Sequence, residues 1–257
     1  MRRGLYAEAT VDAGRARFAA VLSALPSTAA LSHRSAAALL GLPLLGAPAT
    51  VVDVTVPGLP SRTRHGVVLH GRQLPAEAVT VTESLRTTEP LRTAVDLARV
   101  LPYPAAVCAA DAALRRSGAR PERLLEMLVG DRSPGSARAR RVGAFCDPAA
   151  ESPGESLSRV AIASHGLPAP QLQAWVGSLD EPVGRVDFLW PEHRTVGEFD
   201  GRTKYGDADA LWAEKLREDR IRAAGFEVVR WTWRDAVGDF GPVADRLRAA
   251  FVRAARR

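Results

Sequence analysis

Asp187 sits in the middle of an apolar run, Val186-Asp187-Phe188-Leu189-Trp190. A carboxylate in such surroundings is costly unless it is paired or binds a cation. Further along, Glu198 and Asp200 stand two apart, a spacing that sends both side chains to one face of a strand. If the two runs pair as a hairpin around Pro191–Arg194, Asp187 comes within reach of that face. Three carboxylates crowded together repel one another, and a hard cation that prefers oxygen ligands relieves the repulsion. Mg2+ or Mn2+ held there activates a water and neutralises charge developing on a phosphate. Of the 35 basic residues only Lys204 and Lys215 are lysines, and both follow the carboxylate pair. A compact ammonium suits the neighbourhood of a nucleophilic water.

The same residues also fit a plainer arrangement. Asp200-Gly201 is an ordinary turn pair, and Glu198 with Asp200 matches the solvated face of an edge strand. Glu155 follows Ser152 by three residues, the spacing of a capping box, which accounts for it without catalysis. Lys215, Asp219 and Arg222 recur at helical spacing as one polar stripe, and Trp212 and Leu216 mark the apolar face beside it. A solvated, ion-paired helix surface produces that stripe equally well.

The elements that must position these residues follow from periodicity and caps. Ser152 is a good N-cap with Pro153 at the first helical position, which predicts a helix to about His165. Leu172–Val176, Val183–Leu189 and Thr195–Phe199 read as strands. A long helix follows over Ala208–Ala224, closed by Gly225, then a strand over Phe226–Trp231 and a helix over Ala244–Ala255. Helix, three strands, helix, strand and helix make a mixed sheet flanked by helices. The first half reads as helices at Gly14–Leu25 and His33–Leu40, strands at Val51–Val56 and Val67–His70, then helices at Thr93–Leu101, Ala105–Arg116 and Arg120–Leu128. No nucleophile, base and orienter come together in it. The fold class expected is α/β, with a smaller α+β domain over 1–131, a Pro-, Gly- and Ser-rich linker over 132–151, and a second domain over 152–257. All five tryptophans lie in the last of these.

Composition sets wider limits. With 46% hydrophobic and 25% charged residues the chain can bury a core. A formal charge of +6 favours a polyanionic partner such as nucleic acid, although heavy Ala and Arg usage from a GC-rich genome gives the same balance. Cys108 and Cys146 are too few for a disulfide framework and lack zinc-ligand spacing. Asp12, Arg15 and Arg17 break the N-terminal apolar run, and no stretch approaches the ~18 apolar residues a membrane span needs. A soluble cytoplasmic protein without a small-molecule cofactor is expected. His33, His65, His70, His165 and His193 are scattered along the chain and receive no metal role.

Taken as a series, Arg185-Val186-Asp187-Phe188, Glu198-Phe199-Asp200-Gly201, Lys215-Leu216-Arg217-Glu218-Asp219-Arg220 and Gly225-Phe226-Glu227-Val228-Val229-Arg230-Trp231 resemble the DUF559 family. That family is related to very-short-patch-repair endonucleases of the restriction-endonuclease-like, PD-(D/E)xK, superfamily. The resemblance covers about residues 152–235 and implies a magnesium-dependent phosphodiesterase core. Asp187 would be the main metal ligand, Glu198 the second acid and Glu155 the first-helix glutamate. The superfamily places a lysine two residues after the second acid, where this chain has Asp200; Lys204 or Lys215 would supply that charge.

The first half carries a second resemblance. Arg3-Gly4-Leu5-Tyr6, Leu31-Ser32-His33-Arg34-Ser35-Ala36-Ala37 and Thr88-Glu89-Pro90-Leu91-Arg92-Thr93-Ala94-Val95-Asp96-Leu97 resemble actinobacterial relatives of AbiEi antitoxins from type IV toxin–antitoxin systems. There a winged helix-turn-helix precedes an Arg-Gly-Val-Tyr-like strand, and this chain begins at that strand. Two functions are therefore expected to compete: a metal-dependent DNA endonuclease, and a non-catalytic DNA-binding regulator or antitoxin that retains a degenerate nuclease fold. DNA is the expected ligand, with a toxin or a second copy of the chain as protein partner.

Overall fold

The computed structural model describes residues 11–46, 50–177, 182–201 and 208–256, in two compact units, Met1–Cys146 and Asp147–Arg257. Lys204 and the Arg3–Tyr6 segment lie outside the described residues. The fold class is mixed α/β as expected, with two mixed sheets flanked by helices. Two boundaries differ from the reading above. The first unit is the larger, and the 132–151 stretch is no bare linker, because Ser136–Gly143 is a helix that packs within the first unit. Its short Arg-rich sequence hides a buried stripe, Ala139, Val142 and Gly143.

The first unit opens with helix α1 (Val11–Ser23), strand β1 (Ala30–Leu31), helix α2 (His33–Leu40) and strand β2 (Val52–Thr55). Strands β3 (Arg62–Arg64), β4 (Val67–His70), β5 (Val79–Thr82) and β6 (Leu85–Thr88) complete a six-stranded sheet in the order β3-β4-β2-β1-β6-β5. Strands β1, β3, β5 and β6 were not expected from the pattern. β1 is two residues long and β3 is wholly exposed, so neither displays an alternation to detect. Helices α3 (Pro90–Val100), α4 (Tyr103–Ser117), α5 (Glu122–Glu126) and α6 (Ser136–Gly143) follow. Small side chains of α4, Ala105 to Ala113, are buried and let α3 and α6 approach closely.

The second unit runs helix α7 (Pro153–Ser164), strands β7 (Gln171–Gly177), β8 (Pro182–Trp190) and β9 (Thr195–Asp200), helix α8 (Ala208–Ala223), strand β10 (Glu227–Thr232), and helices α9 (Trp233–Val237) and α10 (Gly241–Ala254). Its four strands are ordered β10-β9-β8-β7. β7, β8 and β9 form an antiparallel meander, and β10 returns parallel to β9 after the α8 crossover. Phe188, Trp190 and Trp231 fill one face with Ile162 of α7, Leu247 of α10 and Phe240 just before α10. Val196 and Leu189 meet Ile221 of α8 on the other.

Two glycines let these layers close. A Cβ at Gly154 would stand 2.0 Å from the Phe199 ring, and one at Gly197 would stand 2.5 Å from Trp231. Both contacts are far inside van der Waals distance, so a methyl at either place forces the packed rings apart. The N-terminus of α7, and Glu155 with it, thereby comes down onto β9.

Candidate functional site

The register of the second sheet lines up four polar side chains, one per strand. Arg230 of β10 pairs with Glu198 of β9. The β8–β9 ladder ends at Phe188↔Gly197, and one step further sets Asp187 opposite Glu198. Gln173 falls between the Leu172↔Phe188 and Ala174↔Val186 pairs of β7 and β8, opposite Asp187. Opposed residues share a face, so Gln173, Asp187, Glu198 and Arg230 form one polar row across the sheet.

Each member of the row has defined partners. Asp187 Oδ2 accepts the backbone N–H of Phe199 at 2.9 Å, and Oδ1 accepts Gln173 Nε2 at 3.2 Å. The same Gln173 nitrogen donates to Glu155 Oε2 at 2.9 Å, which ties the helix glutamate to the strand aspartate. Gln173 adopts φ +51, a left-handed backbone that a non-glycine residue holds only under constraint. Glu155 also completes its cap: Ser152 Oγ donates to Oε1 at 2.7 Å and accepts the Glu155 N–H, and the Glu151 N–H reaches Oε2 at 2.8 Å. The capping and site readings of Glu155 therefore describe one side chain engaged in both sets of contacts.

Glu198 is the electrostatic anomaly of the site. Its side chain is 9% exposed, and Arg217 Nη1 of α8 lies 3.1 Å from Oε1. The approach lacks hydrogen-bond geometry, so Oε1 is buried without a hydrogen-bond partner. Burial pushes the Glu198 carboxyl up to about 7, against the pull of Arg217 and with a further push from Asp187. Burial also raises Asp187 above the usual carboxylate range; the Phe199 N–H and the Gln173 amide oppose that rise, and Glu155 adds to it.

The remaining expected residues are placed elsewhere. Asp200 Oδ1 lies 3.1 Å from Arg230 Nη1, in an acidic ring that Arg230 also closes with Glu214 and Glu218. Lys215 is exposed, with Nζ 6.0 Å from the Trp212 ring centroid. Trp212 and Leu216 are themselves 61% and 45% exposed, so they do not mark the packed face of α8. Ile221 does, and Glu214, Arg217 and Glu218 share its side at helical spacing. Arg217, Arg230 and Gln173 are the contributors that sequence reasoning missed. The signal for Arg217 was Ile221, four residues on and the most apolar residue of that stretch; Gln173 carried none.

A divalent ion is only partly suited to this arrangement. One buried oxygen on Glu198 without a hydrogen bond is what a cation would satisfy. Against that, a guanidinium already stands beside it, and both Asp187 oxygens accept hydrogen bonds. Among the described residues, Glu155, Asp187 and Glu198 do not bring three ligand atoms within 4.8 Å of one another.

Comparison with known proteins bears first on the other unit. Residues 19–145 match the family model of the AbiEi antitoxin C-terminal domain, which takes in nearly all of the first unit. Two uncharacterized proteins of Mycobacterium tuberculosis, one from each of two strains, are 31% identical over 192 residues, covering 74% of this chain and 70% of theirs. The chain belongs to one family with them. No solved structure matches it.

The AbiEi-type motifs have a structural explanation in the first unit. Glu89 caps α3 by accepting the N–H groups of Leu91 and Arg92, with Pro90 at the first helical position. Thr93 Oγ1 bonds Thr88 Oγ1 at 2.7 Å. Asp96, wholly buried, is held between Arg92 Nε at 3.0 Å and Arg99 Nη1 at 3.2 Å. No helix among the described residues is long and apolar enough to cross a membrane.

Proposed function

We propose that the protein is an antitoxin-type regulator of a toxin–antitoxin pair, whose second unit is a restriction-endonuclease-like core used to bind DNA without cutting it. The AbiEi match over the first unit supports the class. The observation that carries the non-catalytic reading is the placement of arginines on the acids. Arg217 stands beside Glu198 and Arg230 beside Asp200, so the charge that a metal ion would neutralise is already countered. The net charge of +6 supports a phosphate-rich ligand. The protein partner is a toxin whose action this chain opposes.

Mobility shift on duplex DNA tests the reading. Full-length protein should retard the duplex, lose affinity steeply as salt rises, and leave its length unchanged in Mg2+. Duplex shortened in Mg2+ by wild type but not by Asp187→Ala overturns it.

That second outcome belongs to a metal-dependent endodeoxyribonuclease, a reading favoured by the buried Oε1 of Glu198, which accepts no hydrogen bond. In it Asp187 and Glu198 hold Mg2+ or Mn2+, and Gln173 and Glu155 fix the orientation of Asp187. A bound ion would supply Lewis-acid charge at the phosphate. Arg217, already beside Glu198, is the positive charge at hand for the phosphate. Calorimetric titration with Mn2+ separates the two: saturable binding lost in Asp187→Asn/Glu198→Gln supports the nuclease, and no binding leaves the regulator.

A further inference from the structure

A cluster in the first unit, apart from the acidic row, brings together the side chains a transition metal prefers. We propose that His33, Asp53 and His70 form a binding site for a divalent transition metal of the zinc type.

The three residues come from separate elements that the fold holds together. His33 begins α2, Asp53 lies in β2 and His70 ends β4. β2 and β4 are parallel neighbours, with Asp53 opposite Val68 and Thr55 opposite His70. One potential ligand atom from each of the three lies within 4.8 Å of the others, the one such group of His, Cys, Asp and Glu among the described residues. His70 Nε2 is 2.9 Å from Asp53 Oδ1, and the His33 and His70 rings stack at 3.7 Å between centroids. His33 and Asp53 are buried, at 4% and 7% exposure, and His70 is partly buried, so the group is neither a surface accident nor sealed from solvent.

The surroundings hold the ligands in place as metal sites require. The Ser32 N–H donates to the Asp53 carbonyl at 3.0 Å, and the Asp53 N–H donates to Ser35 Oγ at 2.9 Å. Those two bonds fasten the start of α2 to β2. Ser32 Oγ lies 3.0 Å from His33 Nδ1 and orients the ring, the role of a hydroxyl or carbonyl behind a ligating imidazole. His33 is held at φ +47, a backbone state that disfavours any residue but glycine. A strained backbone, one buried and one partly buried imidazole and a carboxylate at one point are more than an ion pair needs.

Two imidazoles and one carboxylate make a ligand set for zinc or a similar ion, with one position left for water. Bonds of about 2.0–2.1 Å run along lone pairs that lie in the ring planes, so the stacked rings must splay to direct both at one ion, which takes the place of the hydrogen between His70 Nε2 and Asp53 Oδ1. His70 then ligates as the neutral imidazole, with its N–H on Nδ1.

The test uses chelator-treated, full-length protein titrated with zinc. One equivalent should bind, and cobalt in its place should give visible absorption bands and shifted imidazole N–H resonances in the proton spectrum. Asp53→Asn and His70→Gln should each weaken zinc binding at least about 100-fold, with far-UV circular dichroism unchanged. Asp187→Asn, in the other unit, should leave it intact. Absence of zinc binding by the folded wild type overturns the proposal. So does binding that survives both first-unit variants, or that disappears only with Asp187→Asn. Should the variants misfold, the cobalt-shifted imidazole signals of the wild type decide alone: their absence from a cobalt-loaded protein overturns it.

Discussion

Each unit buries a carboxylate beside arginine, and the two are treated differently. Asp96 in the first unit has both oxygens engaged, one by Arg92 and one by Arg99, with Arg99 tied on to Asp131. Glu198 in the second is nearly as buried, but its Oε1 is left without a hydrogen bond and its single cation is partly solvated. A buried carboxylate with both oxygens engaged belongs to the architecture, even though Arg99 Nε beside it has no hydrogen-bond partner. An unsatisfied one is a site where something else is expected to arrive, be it a proton, a metal ion or a phosphate.

Removing one partner is the strongest way to break this comparison. Asp96→Ala leaves Arg92 and Arg99 confined without a counter-charge, and should destabilise the first unit by about 3–5 kcal/mol. Glu198→Gln should cost far less, because it replaces a carboxyl already close to neutral. Urea unfolding followed by circular dichroism, with tryptophan fluorescence alongside, reads both changes. All five tryptophans belong to the second unit, so fluorescence reports that unit alone.

Next in size is an opposite response to pH in metal-free protein. Burial, joined by the nearby His70, holds the His33 imidazole down at about 3. The unfolded chain then takes up a proton below about 6.5 that the folded unit refuses, so the first unit loses stability as pH falls from there toward 3. Glu198 works the other way. Folded, it keeps its proton up to about 7, whereas unfolded it loses that proton near 4.5. Its contribution is complete below 4.5 and is lost as pH rises through 7, on the order of 3 kcal/mol. Fluorescence-detected unfolding at pH 5 and pH 8 should show the second unit weaker at the higher pH, with the difference reduced in Glu198→Gln. Equal stability at both values would remove the contrast.

Packing effects rank third. Gly154→Ala sets a methyl against the Phe199 ring and should cost about 1–3 kcal/mol, visible in the fluorescence transition of the second unit. The smallest effect belongs to the exposed pair Arg185–Glu151, 2.9 Å apart. Arg185→Ala should change stability by less than about 1 kcal/mol in the same assay, and a larger loss would mean that solvent-exposed charges count as much here as buried ones.

Much of this was legible before the structure. Ser152 and Pro153 announced α7, Gly225 closed α8, and the apolar run around Asp187 gave a strand, because caps and periodicity act over a few residues. Asp187, Glu198 and Glu155 were singled out on the same local grounds, and the structure joins Asp187 to Glu155 through Gln173 and sets Glu198 beside it. The rotation of α8 was not legible. Trp212 and Leu216 together mark an apolar face, but Ile221 is the residue the sheet covers, and that choice exposed Lys215 and turned Arg217 inward. Asp200 was read with Glu198 because alternation puts both on one face. Only the parallel return of β10 decided that Arg230 would claim it.

By itself, then, the sequence determined the kind and order of most elements and the acids worth watching, since propensity, capping and alternation are properties of neighbouring residues. The tertiary structure decided which charges meet. His33, Asp53 and His70 are scattered in the chain and adjacent in space, because strand register and helix rotation are settled by packing between distant segments.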